Sequence, residues 1–122
     1  AGIPDIIVIR GYLSEEVRCD GVRYVEHPNW ASTNILGSLF SAERVLTGGL
    51  LIIYGDILFK PHVVQAALNA KGSISPVADL TWKSAYQGRH HHPVGEAEKV
   101  RLNADGFIAE IGKRNVEAEN AD

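Results

Sequence analysis

The stretch LLIIYGDILF, residues 50–59, carries the strongest strand signal in the sequence. It begins with four aliphatic side chains and a tyrosine, a run too short for a helix and typical of a strand buried on both faces. Gly48-Gly49 precedes this run, and Gly55-Asp56 follows it. We therefore predict a buried parallel strand that ends near Asp56 and lies at the centre of an α/β sheet.

Asp56 is the first candidate for chemistry, because ligands of open α/β sheets bind in the crevice at the carboxyl ends of the strands. A carboxylate is a hard oxygen ligand and suits a Mg²⁺ ion carried on nucleotide phosphates. Aspartate is also a common turn and cap residue. Spacing alone therefore leaves two interpretations of Asp56 open, a metal ligand and a turn former.

Composition sets the broad class of protein. The 122 residues are 45% hydrophobic and 22% charged, which is typical of one soluble globular domain. The net charge of −3 gives no reason to expect nucleic acid, and no apolar run approaches the roughly 20 residues that span a bilayer. The single cysteine, Cys19, excludes an intrachain disulfide and favours a cytoplasmic protein. Methionine is absent even at position 1, so we expect a piece of a longer chain.

Strand and helix signals alternate before the central stretch. Residues 5–10 (DIIVIR) predict a second buried parallel strand, and residues 22–26 alternate as a strand does. Ser32-Thr33-Asn34 then leads into a predicted helix of about a dozen residues with an apolar stripe. Gly37 within this helix costs about 1 kcal/mol relative to alanine, which suggests a close approach to the backbone or a tolerated weak spot.

The same order repeats after residue 56. Pro61 suits the first position of a helix that continues to residue 70. The later segments predict a strand near a sheet edge at 73–79 and a short helix or ordered loop at 80–88. A hairpin that turns at Asp105-Gly106 is predicted over 97–113, and a polar acidic tail over 115–122. This alternation indicates an α/β sheet covered by helices on both faces.

Three adjacent histidines, His90, His91 and His92, raise the question of a metal site. Neighbouring side chains cannot all converge on one ion in a helix or a strand. We therefore interpret residues 89–95 as a loop exposed to solvent rather than as a zinc site.

Together these segments resemble nucleotidyltransferases of the sugar-phosphate and phosphocholine cytidylyltransferase type. The branch linked to phosphonate metabolism, including the transferase domains attached to phosphoenolpyruvate mutases, is the most similar. Four landmarks occur in the order found in that family: AGIPDIIVIRGY (1–12), HPNWASTNILGSLFSAERVL (27–46), LLIIYGDILF (50–59) and EAEKVRLNADGFIAEIGK (96–113). The resemblance implies a Rossmann-like three-layer α/β/α fold with a mixed, mostly parallel sheet, incomplete here. Residues 1–114 would be the partial domain and 115–122 its tail.

The resemblance also assigns roles to particular residues. Asp56 would be the catalytic residue and would hold Mg²⁺. Asn34, Ser38 and Gly55 would bind the nucleotide. Asp79, Glu98 and Lys99 would border the pocket of the acceptor substrate. Simpler roles stay open, since Asn34 can be a helix cap, Asp79 a turn former and Lys99 a solvated strand residue.

Two parts of the family pattern are absent from this sequence: a glycine-rich loop with arginine and lysine that cradles the triphosphate, and a second acidic metal ligand. The resemblance therefore implies part of a Mg²⁺-dependent nucleotidyltransferase that is inactive by itself. Its partners would be a nucleoside triphosphate, with CTP preferred, and a small phosphorylated or phosphonate acceptor. A missing central strand would leave backbone groups unpaired, which favours a homo-oligomer or segment exchange.

Two other functions compete with this interpretation. The first is a non-catalytic nucleotide-binding or scaffolding module of the same fold. The second is a receiver domain of a signalling protein, which fits the length and the position of Asp56. A receiver needs an acidic pair after its first strand, whereas Ile9-Arg10-Gly11-Tyr12 stands there. The receiver interpretation is therefore disfavoured.

Overall fold

The computed structural model describes residues 3–113 and 121, in two compact units that comprise residues 1–55 and 56–122. In the first unit, strands β1 (Ile7–Arg10) and β2 (Arg23–Glu26) form a parallel pair in which Ile7 lies opposite Arg23 and Arg10 opposite Glu26. The predictions of strands over 5–10 and 22–26 are confirmed, and β1 is parallel to its neighbour as expected, although it is half-buried rather than buried on both faces. Most of the predicted tail, 115–122, lies outside the described residues, and the predicted domain boundaries remain predictions.

Arg10 ties the parallel pair to the loop that joins its strands. Its Nε donates to Glu26 Oε1 at 2.7 Å, and its Nη1 donates to the carbonyl oxygen of Val17 at 2.8 Å. The guanidinium also lies 4.0 Å from the centre of the Tyr24 ring. Tyr24 in turn accepts from the Cys19 amide and donates to the Cys19 carbonyl. Arg10 thereby has a structural role.

Helix α1 (Ile35–Ser41) begins where the sequence predicts, directly after Asn34. It is shorter than the predicted dozen residues, because a 3₁₀ turn at Glu43–Val45 follows it after Ala42. Ala42 is only 1% exposed and is one of the few fully buried apolar residues among those described. The early end follows from the change to 3₁₀ geometry at this residue, where the Val45 amide bonds to the Ala42 carbonyl.

Residues 50–59 form no strand, so the prediction of a buried central strand, in one sheet with β1, is wrong. Residues 51–54 have no regular secondary structure, and Gly55 and Asp56 form a turn. The side chains are about half exposed, as at Ile52 (57%) and Tyr54 (50%). An apolar run shows that a segment suits a sheet, but a strand forms only where another strand pairs with its backbone. None of the described residues does so here.

The second unit contains α2 (Pro61–Leu68), α3 (Trp82–Ala85), β3 (Lys99–Leu102) and β4 (Ile108–Gly112). Pro61 at the start of α2, the short helix and the hairpin are confirmed. The strand predicted over 73–79 is wrong for the same reason as the central one, since no described segment pairs with it.

The hairpin turn depends on Asn103 and Gly106. Asn103 Oδ1 accepts hydrogen bonds from the amides of Asp105 (3.0 Å) and Phe107 (2.9 Å). Gly106 has φ of 80°, a left-handed conformation that glycine adopts without the steric cost that a side chain brings.

The described residues thus contain α-helices, a short parallel sheet and a short antiparallel sheet, an arrangement compatible with an incomplete α/β domain. The helices among these residues are all too short or too polar to cross a membrane.

Candidate functional site

The candidate site begins at the carboxyl edge of β1 and β2, where open α/β sheets bind their ligands. Gly11-Tyr12 follows β1, and the rings of Tyr12 and Trp30 meet edge to face with their centres 5.1 Å apart. A Cβ atom on Gly11 would lie 2.6 Å from Trp30 Cβ, so only glycine fits beneath this tryptophan. The two loops after the strands are therefore packed against each other.

The segment between β2 and α1 is held by side-chain hydrogen bonds. His27 is 6% exposed, and its Nε2 lies 2.6 Å from Thr33 Oγ1. Thr33 Oγ1 also donates to the Asn29 carbonyl at 3.1 Å. Sequence reasoning assigned no role to His27 or Thr33, and only the proline after His27 hinted at a fixed loop. The structure shows that these residues determine how the chain enters α1.

Asn34 has the structural one of the two roles that the sequence left open. Its Oδ1 accepts a hydrogen bond from the Gly37 amide at 3.1 Å, so the interpretation as a helix cap is confirmed. Because a backbone amide can only donate, the carbonyl side of the Asn34 amide must face Gly37. The NH₂ group has no partner among the described residues. Two donors of a fixed side chain are therefore available for a ligand.

An open groove lies beside this amide. Its volume is about 600 Å³, within the usual range of small-molecule sites. The lining is mainly aliphatic, with an aromatic ring and two polar groups, and comprises Asn34, Ile35, Leu36, Leu39, Ile52 and Tyr54. The central stretch thus contributes to the groove through Ile52 and Tyr54 although it forms no strand. Tyr54 was not among the predicted site residues.

The other two predicted nucleotide contacts, Ser38 and Gly55, belong to the same unit as the groove but do not line it. Ser38 lies in α1, where its amide bonds to the Asn34 carbonyl at 3.1 Å. Gly55 lies in the turn after Tyr54, and a Cβ atom there would meet no other atom within 4 Å. A side chain at position 55 would therefore not clash with any described residue, so steric crowding does not explain this glycine.

The remaining predicted residues lie in the second unit. Asp56 is exposed, and its carboxylate bonds to none of the described residues. Asp79 Oδ1 accepts from the hydroxyl (2.7 Å) and the amide (2.8 Å) of Thr81, which lowers the pKa of this carboxyl. The interpretation of Asp79 as a turn former is therefore confirmed.

Lys99 is buried, although one interpretation of the sequence made it a solvated strand residue. It is only 5% exposed at the start of β3, so the interpretation as a solvated strand residue is wrong. No described residue forms an ion pair or a hydrogen bond with its ammonium group. The preceding Glu98 is exposed.

The three adjacent histidines lie in a segment that has no helix or strand. His92 has φ of 55°, and its Nδ1 lies 3.0 Å from Glu96 Oε2. No group of three or more potential metal ligands lies close together anywhere in residues 3–113. Residues 89–93 form a loop as predicted, a 3₁₀ turn at Val94–Glu96 follows, and the expectation that no zinc binds here stays a prediction.

Comparison with known proteins identifies the class that the chain resembles: its homologues are cytidylyltransferases, which confirms the resemblance noted in the sequence. The chain is 30% identical over 125 residues to the CTP:phosphoglutamine cytidylyltransferase of Campylobacter jejuni, an alignment covering 93% of this chain and 49% of that protein. It is 28% identical over 117 residues to the CMP-5'-(3-aminopropyl)phosphonate synthase of Streptomyces rubellomurinus, covering 89% of this chain and 17% of that enzyme.

The chain thus spans about half the length of the first relative and a smaller share of the second. No protein-family model matches the sequence, and no solved structure matches the chain.

The capping role of Asn34 can be tested by two substitutions. Asn34→Ala removes the acceptor for the Gly37 amide and is expected to lower the free energy of unfolding by about 1 kcal/mol. Asn34→Asp retains an equivalent acceptor and should change the free energy of unfolding by only a few tenths of 1 kcal/mol. Urea denaturation followed by circular dichroism measures the difference. Equal stability of the two variants would contradict the capping role.

Proposed function

We propose that this chain is part of a Mg²⁺-dependent cytidylyltransferase that uses CTP and a small phosphorylated or phosphonate acceptor. The observation that carries the proposal is its similarity, over 93% and 89% of its length, to two enzymes whose names specify such reactions. An acceptor oxygen would attack the α-phosphorus of CTP, and the bond to the β-phosphate would break. The products would be a CMP-activated compound and pyrophosphate. The parallel pair β1–β2 would belong to a Rossmann-like three-layer fold.

The groove beside α1 is the proposed nucleotide site. The side-chain NH₂ group of Asn34 would donate to an oxygen of the base or ribose, while Oδ1 of the same side chain still accepts from the Gly37 amide. The Tyr54 ring and the aliphatic side chains offer an apolar surface for the flat face of a base. Ser38 and Gly55 remain proposed nucleotide contacts through the resemblance.

Asp56 is the proposed ligand of the metal. Its carboxylate is exposed and free of partners in the described chain, which fits a cation that is held by one or two carboxylates together with waters and phosphates. Both hydrogen bonds of Asp79 to Thr81 favour its structural role over a metal role. When bound, Mg²⁺ would neutralise charge that develops on the phosphates.

Lys99 is the proposed contact for the acceptor. A cationic side chain in a largely buried position attracts a phosphate or phosphonate more strongly than a fully exposed one, because less water screens it. Glu98 and Asp79 remain proposed neighbours of the acceptor through the resemblance.

We also propose that the chain by itself binds CTP without turning it over. Transfer of a nucleotidyl group depends mostly on positioning and on charge compensation at the phosphates. The sequence contains no glycine-rich loop with arginine and lysine that would supply these. The open groove beside Asn34 would also serve the second candidate, a non-catalytic CTP-binding module. Pyrophosphate release from CTP with phosphoglutamine or (3-aminopropyl)phosphonate distinguishes the two, once the chain is expressed together with its flanking coding sequence.

The nucleotide contact is tested by Asn34→Ser, which retains an N-cap oxygen but lacks the amide. Loss of one hydrogen bond worth about 1.4 kcal/mol should weaken CTP binding about tenfold. Isothermal titration calorimetry measures the dissociation constant. The matched control is Asn69→Ser, at the end of α2 in the other unit, which should leave binding unchanged. Unchanged CTP affinity in Asn34→Ser would remove Asn34 from the site.

The metal assignment is tested by Asp56→Asn, which retains the size of the side chain and removes its charge. We expect Mg²⁺ to tighten CTP binding to the wild-type chain and to have at least about tenfold less effect on the variant. Titrations in MgCl₂ and in EDTA give the two affinities for each protein. Asp105→Asn, in the exposed hairpin turn, is the charge-matched control. An equal Mg²⁺ effect in Asp56→Asn and wild type would exclude Asp56 as a ligand.

A further inference from the structure

We propose that His27 is a positioning residue for the nucleotide contact, acting through Thr33 on the side chain of Asn34. The inference rests on the proposed function, because it concerns how the NH₂ group of Asn34 is held toward the groove. It assigns a purpose to a buried histidine that no other part of the candidate site uses.

The buried hydrogen bond between His27 and Thr33 holds the loop before α1. His27 Nε2 lies 2.6 Å from Thr33 Oγ1, which is also 3.1 Å from the Asn29 carbonyl oxygen. A threonine hydroxyl group can donate or accept, so this bond forms with either tautomer of the imidazole. Because His27 is only 6% exposed, loss of the Thr33 hydroxyl group would leave a buried ring nitrogen without this partner.

His27 itself is anchored to the sheet. Its backbone amide donates to the Arg10 carbonyl at 2.9 Å, which extends the contact between β1 and β2 by one residue. The side chain then reaches forward six residues to Thr33. A continuous series of hydrogen bonds thus runs from the carboxyl edge of the sheet to the residue immediately before the helix cap.

Thr33 transmits this anchoring to α1 by direct packing. A Cβ atom on Gly37 would lie 2.8 Å from Thr33 Cβ, so the threonine side chain occupies the space beside the first helical turn. The amide of the same glycine donates to Asn34 Oδ1. Gly37 therefore contacts Thr33 on one side and orients Asn34 on the other. This close approach also explains why a helix position that favours alanine holds glycine.

It follows that the orientation of Asn34 depends on where Thr33 is held. If Thr33 moves, the hydrogen bond between the Gly37 amide and Asn34 Oδ1 changes its geometry. The NH₂ group belongs to the same planar side-chain amide, so it turns together with Oδ1. His27 and Thr33 need not touch the nucleotide to affect its binding.

The test compares Thr33→Val with Thr33→Ser. Valine retains the branched shape but has no hydroxyl group, whereas serine retains the hydroxyl group. We expect Thr33→Val to increase the hydrogen-exchange rate of the Gly37 amide about tenfold and to weaken CTP binding about tenfold, with less than threefold changes in Thr33→Ser. The Leu46 amide, which bonds to Ala42 beyond α1, is the internal reference and should not change.

These outcomes separate a local positioning role from general destabilisation. Equal effects of valine and serine, or equal acceleration at Gly37 and Leu46, would overturn the proposal. If Thr33→Val does not fold, the comparison of His27→Phe with His27→Gln decides. Phenylalanine retains a ring but has no hydrogen-bonding nitrogen and should lose Gly37 protection, whereas glutamine can donate or accept and should retain it. Equal Gly37 exchange rates in the two variants would overturn the proposal. Failure of the wild-type chain to bind CTP would contradict the proposed function alone, since the hydrogen-exchange rate of the Gly37 amide still tests the positioning role.

Discussion

The hydrogen bond from the Gly37 amide to the Asn34 side chain is the interaction on which the candidate site depends. It satisfies an amide that the first turn of α1 would otherwise leave unpaired. It also fixes which side of the Asn34 amide faces the helix, so that two N–H donors remain for a ligand. The tight contact between Thr33 and Gly37 means that this geometry is shared with the loop before the helix. Helix capping and ligand binding are therefore not competing roles for this asparagine.

Local signals in the sequence predicted the elements whose stability is local. Pro61 marked the start of α2, Asn34 the start of α1, and Asp105-Gly106 the hairpin turn. The two failures, at residues 50–59 and 73–79, concern strands, which require backbone partners distant in the sequence. A run of apolar residues reports a preference for burial in a sheet and contains no information on whether a neighbour is present. The division into two units likewise had no local signal.

The structural role of a site residue was predictable where its residue type and position indicate that role. It was missed where the role depends on whether the side chain is buried. The capping role of Asn34 was predictable from its position before an apolar helix, whereas its nucleotide contact was implied by the resemblance and stays a prediction. Asp79 proved to be the turn former that its residue type suggests. The burial of Lys99 could not be read from a strand with charged neighbours. His27 and Thr33 are separated by six residues of loop, and only the folded chain shows that they are bonded.

The most direct test of a nucleotide site at α1 observes the wild-type chain by ¹⁵N NMR during titration with CTP, with inorganic tripolyphosphate as a reference ligand. The side-chain NH₂ resonances of Asn34 should shift on addition of CTP and remain in place with tripolyphosphate, because the contact is made to the nucleoside. Binding of CTP that leaves these two resonances unmoved, while signals elsewhere shift, would contradict the assignment of the nucleotide site to this groove.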